Sequence, residues 1–435
     1  MSKYRSFIFE NYDYDKPSKT LVLNYSLDGQ VSFQEIYTFD FEHKEYDEHT
    51  LDKAFQQLFF MAGVSYYKTY IPENIEVKSG TITPSEAEFY AKTWRKGLGE
   101  FFYVNNLDPN TKVSIPSNIE ETGSELNHNG TGFLVAIGGG KDSLVSLEIL
   151  RNNSAETIET WSLNHKDQLE PLANRTGTKH YFVGRQWDRK LNDPDALPGS
   201  TNGHIPISAI FACAGVVVAI LAGRRDVVMS NERSADEPTL KYRGTDINHQ
   251  YSKSSEFESD FQSQLAKHYG DRIRYYSLLR PLSEIQIAKL FGGEIFEKYK
   301  DVFSSCNRAF VHASDKIFWD GECPKCAFVY LILSNYVNHV ELDKLMNGNV
   351  LLKPQLEETY KELLGITHNK PLECVGEINE SRWAMDNRKA DYPELEKYQY
   401  PPVGDNEVFY LAESKMPADV REIVIPFFEQ NALQK

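Results

Sequence analysis

The chain has 435 residues, 41% hydrophobic and 25% charged, the balance of a soluble globular protein long enough for one large or two to three ordinary domains. Its formal net charge of −16 argues against a nucleic-acid partner, because a protein that grips polynucleotide phosphates normally carries a basic surface. No apolar run reaches the roughly 18 residues of a membrane span and the first residues lack an apolar secretory core, so no membrane association and a cytoplasmic location are expected. Five cysteines, including one Cys-x-x-Cys pair, point to thiols or a metal rather than to disulfides.

Residues 1–48 alternate aromatic and β-branched positions between turn signals such as Asp28-Gly29, which predicts a β-meander. Helices are predicted over 51–66 and 84–102, the second with Thr83 as cap, Pro84 at its first position and Glu86 completing a capping box. Together these form an N-terminal α+β domain, 1–125, that closes in the polar run 108–131.

Directly after it an apolar strand, 133–137, meets Gly138, Gly139 and Gly140 and then an amphipathic helix. Strand, glycines and helix start in immediate succession make a phosphate-binding loop, since the first amides of the helix point at whatever sits there. The Walker pattern fails, because its first glycine and its Ser/Thr are replaced by Val135 and Asp142. The dinucleotide fingerprint fails at its third glycine, which is Ser143. Further strands follow at 157–164, 179–184, 226–230 and 272–279, with helices at 207–221, 256–269 and 283–291. Repeated βα units predict an α/β fold, a doubly wound parallel sheet over 126–300. The quartet Asn231-Glu232-Arg233-Ser234 ends the strand 226–230 and therefore faces the same crevice as the glycine loop. Residues 301–435 read as a Cys-containing, mainly helical region, with Cys306, a Cys323-x-x-Cys326 turn before an apolar helix at 328–337, and the cluster Glu373 to Glu377 with Cys374.

The loop GGGKDS resembles the Ser-Gly-Gly-x-Asp-Ser loop of the PP-loop ATP pyrophosphatases, with Gly138 where that family usually has serine. The resemblance implies an adenine nucleotide alpha hydrolase-like core. Gly138, Gly139, Gly140, Lys141, Asp142 and Ser143 would bind ATP, and Asp142 would hold a Mg²⁺ that bridges the phosphates. The ordered set GGGKDS, SNERSA, NHQYSKSSEFE, SLLRPLSE, SCNRAF, CPKCAF and LECVGE further resembles the ATP-dependent UDP-N-acetylmuramoyl-L-alanyl-L-glutamate epimerases of bacterial peptidoglycan synthesis. That resemblance implies conversion of the terminal L-Glu of UDP-MurNAc-L-Ala-L-Glu to D-Glu, with ATP giving AMP and pyrophosphate. Adenylation makes the step feasible: an acyl-adenylate no longer carries the carboxylate charge that opposes removal of the α-proton. Within this reading Glu232 is a second Mg²⁺ ligand or catalytic group, Arg233 and Arg280 hold substrate anions, and His249 and Lys253 are candidates for proton transfer.

The cysteines leave alternatives open. Cys323 and Cys326 have zinc-ligand spacing, and Cys306 with Cys374 would complete a Cys₄ site; the same residues also read as structural thiols, or one as an acid or base. Alternative functions on the same loop are a deazaguanine nitrile synthase, a tRNA thiolase or a non-catalytic adenine-nucleotide sensor, of which the acidic charge disfavours the thiolase.

Overall fold

The computed structural model describes residues 3–121, 125–311, 316–367 and 369–434; positions 122–124 of the polar run lie outside the described residues. The meander forms as expected, with β1 (Ser6–Asp15), β2 (Thr20–Leu27) and β3 (Val31–Thr38) antiparallel, Phe7 opposite Leu27 and Leu21 opposite Tyr37, and a register shift in β1 between Phe9 and Asn11. Asp28 and Gly29 both take positive φ at the turn between β2 and β3, the conformation that lets a tight hairpin follow the strand twist. The Asp28 carboxylate also accepts from the Arg5 and Ser6 amides, closing the start of β1 onto that turn.

Beyond the meander lie β4 (Asn74–Val77), β5 (Phe133–Ala136), β6 (Ile158–Leu163), β7 (His180–Gln186), β8 (Asp226–Met229), a short pair β9 (Leu240–Tyr242) and β10 (Thr245–Ile247), and β11 (Arg274–Ser277). All but β9 and β10 join one mostly parallel nine-stranded sheet of order β11-β8-β5-β6-β7-β3-β2-β1-β4. Chain order reverses at β5, with β6 and β7 running out on one side and β8 and β11 on the other. A reversal of this kind opens a crevice at the strand ends.

The compact units do not follow the consecutive boundaries drawn from the sequence. One comprises Met1–Leu134, Tyr181–Val227 and Lys241–Tyr275, the other Val135–His180, Val228–Leu240 and Tyr276–Lys435. Two contacts within the first unit explain its composition. The free edge of β3 is taken by β7, antiparallel, with Tyr37 opposite Arg185, so its backbone groups are not left unpaired. The helix Glu48–Ala62 packs on the helix Ile207–Ala222, whose apolar residues run almost all round and need cover on every face. The predicted 51–66 helix is interrupted at Gly63, where a Cβ would come within 2.7 Å of the Phe9 ring; Val64–Tyr67 continues as a separate turn. The capping box at Thr83 and Glu86 is present, though the predicted helix divides into Pro84–Gly97 and Gly99–Val104.

Sequence reading missed the edge strand β4, whose Asn74-Ile-Glu-Val run is only four residues long and buries only Ile75, and the helix Lys166–Thr176, which carries Pro171 inside it. The predicted helix at 328–337 begins earlier, as Pro324–Leu333, because Cys323 accepts from the Cys326 amide and caps it. Among the described residues no helix is long and apolar enough to cross a membrane.

A buried ion pair joins β3 to β7. Arg185 Nε donates to Glu35 Oε1 at 2.8 Å, and the Tyr37 hydroxyl donates to the same oxygen at 2.6 Å. Both charged side chains are almost fully buried, at 5% and 0% exposure. Removing one partner strands the other charge, so Glu35→Ala is expected to lose about 3–5 kcal/mol in urea unfolding. A loss below about 1 kcal/mol would mean that Arg185 finds another partner or water.

Candidate functional site

Within the second unit, the loops after β5, β8 and β11 supply most of the residues expected from the sequence. Gly139 has φ 95° and is covered on one side: a Cβ there would lie 2.9 Å from the Phe310 ring and 3.0 Å from the Ser304 carbonyl. At Gly138 a Cβ would meet nothing within 4 Å, so the loop is open at that point. Gly140 is the N-cap of the helix Lys141–Asn153, and no side chain caps its first amides. Uncapped amides at a helix start, bordered by open space, fit an anion. The Ser143 hydroxyl meanwhile donates to the Gly140 carbonyl at 3.1 Å.

Lys141 is buried at the head of this helix, where its ammonium donates to both Asp142 and Glu284. Burial works against that charge, but the two carboxylates outweigh it and hold Lys141 protonated. Glu284 is the first residue of the helix Glu284–Phe291, after its Ser283 cap. Burial pushes its carboxyl up, against the pull of Lys141 and with the help of the Asp142 and Glu232 charges. Its backbone amide donates to Glu380 Oε1 at 2.7 Å. Glu380 is also pushed up, first by burial and then by the Glu377 charge, against Arg233. The second unit thus gathers Asp142, Glu232, Glu284, Glu377 and Glu380 with Lys141 and Arg233 as counter-charges. Hard carboxylate oxygens of this kind fit Mg²⁺, and the glycine loop beside them fits phosphate.

Arg233 is engaged with Glu377 at 3.1 Å and lies over the Tyr410 ring, 3.8 Å from its centroid. Arg280 is buried and donates to the Glu232 carbonyl at 2.7 Å, so it fixes the loop that carries Glu232. The Ser234 hydroxyl is 3.5 Å from Glu232 Oε1.

His249 and Lys253 belong to the first unit. His249 Nδ1 is hydrogen-bonded to Glu100, and His204 lies 3.4 Å from the same carboxylate oxygen, with the two imidazole centroids 4.6 Å apart. Burial raises Glu100, but the bond and charge of His249 outweigh it and hold the carboxyl below its usual range. Burial, then the His249 charge, pushes His204 down to about 4, against Glu100. Lys253 Nζ is 3.5 Å from Gln250 Oε1.

Cys306, Cys323 and Cys326 do converge, but their fourth neighbour is Asp320. Cys374 stands outside that group, and its carbonyl accepts from the Lys325 ammonium. Sequence reasoning also missed Glu284, although it sits in the SLLRPLSE segment directly after a capping serine, a position that aims a carboxylate back at the strand ends. His204 had no signal, being one histidine in an Asn-, Pro- and Gly-rich loop.

Comparison with known proteins defines the family. Residues 1–278 match the MurL N-terminal domain and residues 302–398 the MurL C-terminal domain. The chain is 37% identical over 393 residues to a UDP-N-acetyl-alpha-D-muramoyl-L-alanyl-L-glutamate epimerase of Salinispora tropica, covering 87% of this chain and 84% of the relative. It is 35% identical over 388 residues to the enzyme of that name from a Micromonospora species, covering 87% and 86% of the two chains. A third, from Xanthomonas oryzae pv. oryzae, is 37% identical over 341 residues, 77% of this chain and 74% of the relative. The class these findings define is an isomerase, an epimerase built on an α/β sheet. The chain belongs to the MurL family.

The low pKa of His204 has a stability consequence. Below its ordinary value of 6.5 the unfolded chain binds the proton that the folded chain refuses, so stability falls as pH drops from about 6.5 towards about 4 and levels off below. His204→Gln is expected to flatten the acid limb of a urea-unfolding series in that window by up to about 1 kcal/mol per pH unit. An unchanged slope would place the acid sensitivity on other histidines.

Proposed function

We propose that this chain epimerises the terminal L-glutamate of UDP-MurNAc-L-Ala-L-Glu to D-glutamate through an acyl-adenylate, releasing AMP and pyrophosphate. The substrate is taken from the names of the relatives. The observation that carries the adenylating step is the uncapped helix start beside Gly138 to Gly140, flanked by Asp142 and Glu284.

In this reading a glutamate carboxylate oxygen attacks the α-phosphorus of ATP, the bond to the bridging oxygen breaks, and pyrophosphate leaves. The glycine-loop amides, the first-turn amides and the Ser143 hydroxyl hold the β and γ phosphates, and Lys141 turns its charge towards them. Asp142, Glu232 and Glu284 would hold Mg²⁺, which when bound neutralises the leaving pyrophosphate. Arg233 and Arg280 orient the substrate anions. With the carboxylate charge removed, a base takes the α-proton and the opposite face is reprotonated; water then cleaves the acyl-phosphate bond and frees AMP. His249, oriented by Glu100, is the proposed proton-transfer group, with Lys253 as a nearby cation. The cytoplasm, where ATP is available, is the proposed location.

Pyrophosphate release with ATP, Mg²⁺ and UDP-MurNAc-L-Ala-L-Glu, followed by chiral analysis of the glutamate, tests the reading. D-Glutamate should form only with stoichiometric pyrophosphate, and EDTA should stop both. Asp142→Ala and Glu284→Gln are each expected to lower kcat by about 10²–10³. Epimerisation that proceeds without ATP would overturn the adenylate. Pyrophosphate without D-glutamate would overturn the epimerisation.

His249→Asn separates the two halves of the reaction. It should keep substrate-dependent adenylation, read as isotope exchange between pyrophosphate and ATP, while epimerisation falls by about 10²–10⁴. Equal loss of both signals would remove His249 from proton transfer.

A further inference from the structure

The cysteine cluster of the second unit has the dimensions of a metal site. The ligand atoms of Cys306, Asp320, Cys323 and Cys326 all lie within 4.8 Å of one another. Cys306 Sγ and Cys323 Sγ are 4.0 Å apart, and Cys326 Sγ is 3.0 Å from Asp320 Oδ1. Two thiolates on one tetrahedral zinc, each at about 2.3 Å, stand about 3.8 Å apart. A disulfide needs about 2.05 Å, and a [4Fe–4S] cluster spreads its cysteines further because each binds a different iron. The aspartate is already oriented. Its Oδ1 accepts from the Glu322 amide at 2.9 Å and the Cys323 amide at 3.2 Å, while Arg308 lies 3.2 Å from Oδ2 and offsets the negative charge of the cluster.

We propose that Cys306, Asp320, Cys323 and Cys326 bind a structural zinc ion that fixes the segment carrying Cys306 against the glycine loop. Four protein ligands fill a tetrahedral ion and leave no open position, which marks a structural site. The segment it holds is the one that covers the loop. The Ser304 amide donates to the Gly139 carbonyl at 2.9 Å, and Phe310 and the Ser304 carbonyl occupy the space a Cβ at Gly139 would need. The Ser304 hydroxyl donates to the Phe318 carbonyl at 2.7 Å and receives the Cys306 amide at 3.0 Å. Zinc would tie this segment to the start of the helix Pro324–Leu333, whose cap is Cys323 itself. The site does not depend on the reaction proposed above.

The full chain, expressed with zinc in the medium and purified with a reductant, is analysed for metal by plasma mass spectrometry. About one zinc per chain is expected, lost in Cys326→Ser and kept in Cys374→Ser. Stripping the ion with a chelator should lower Tm and abolish exchange protection of the Ser304 amide, and added zinc should restore both. A metal-free unaltered chain whose Tm does not respond to zinc overturns the proposal, whether or not any variant folds. Zinc that survives Cys326→Ser but is lost in Cys374→Ser overturns the ligand set, and iron with acid-labile sulfide overturns the metal.

Discussion

A buried ammonium between two carboxylates is the constraint on which the second unit depends. Lys141 opens a helix, and a positive charge there is opposed twice, by burial and by the positive end of the helix dipole. Asp142 offsets this from the next residue of the same turn, and Glu284 from the first turn of the helix that follows β11. Two helix starts are thereby held together by one cation. Glu284 passes the constraint on through its amide to Glu380, and Arg233 draws Glu377 into the same network. The acids therefore gather where the strand order reverses because each must neutralise, or be neutralised by, a group that the fold has already buried.

Much of the fold was legible because its signals are local. Apolar runs gave the central strands, the three glycines placed the loop, and the capping box at Thr83 and Glu86 marked a helix start that the structure contains. What was not legible depends on partners far apart in the chain. The meander's pairing with β7 requires knowing that β3 would otherwise have a bare edge, which no pattern within residues 31–38 records. The interleaved units follow from the same cause, since the all-apolar helix Ile207–Ala222 chooses its partner by packing and not by proximity in sequence. The site was legible to the same degree. Residues inside the glycine motif stand out in the sequence, whereas Glu284, Glu100, His204 and Asp320 are single polar residues whose meaning comes only from the neighbour that each one meets. Cys374 shows the converse: residue type favoured it as a ligand, yet it stands outside the group of Cys306, Asp320, Cys323 and Cys326.

The charge balance gives these contacts their functional sense. The nucleotide and the UDP-linked dipeptide of the proposed reaction are both polyanions, yet the chain carries a net charge of −16. Long-range attraction cannot bring such ligands in, and at physiological ionic strength fields beyond about 8 Å are screened in any case. Binding must rest on short-range groups. In the second unit, Lys141, Arg233 and Arg280 are already engaged with Glu284, Glu377 and the Glu232 carbonyl. A phosphate arriving alone at Lys141 or Arg233 would have to displace a carboxylate and leave that carboxylate uncompensated. In the proposed reaction a divalent cation would change the exchange: it would take over the carboxylates and free Lys141 for the phosphates. The acidic residues would then be not obstacles to the proposed anionic substrate but the means by which a metal ion makes room for it.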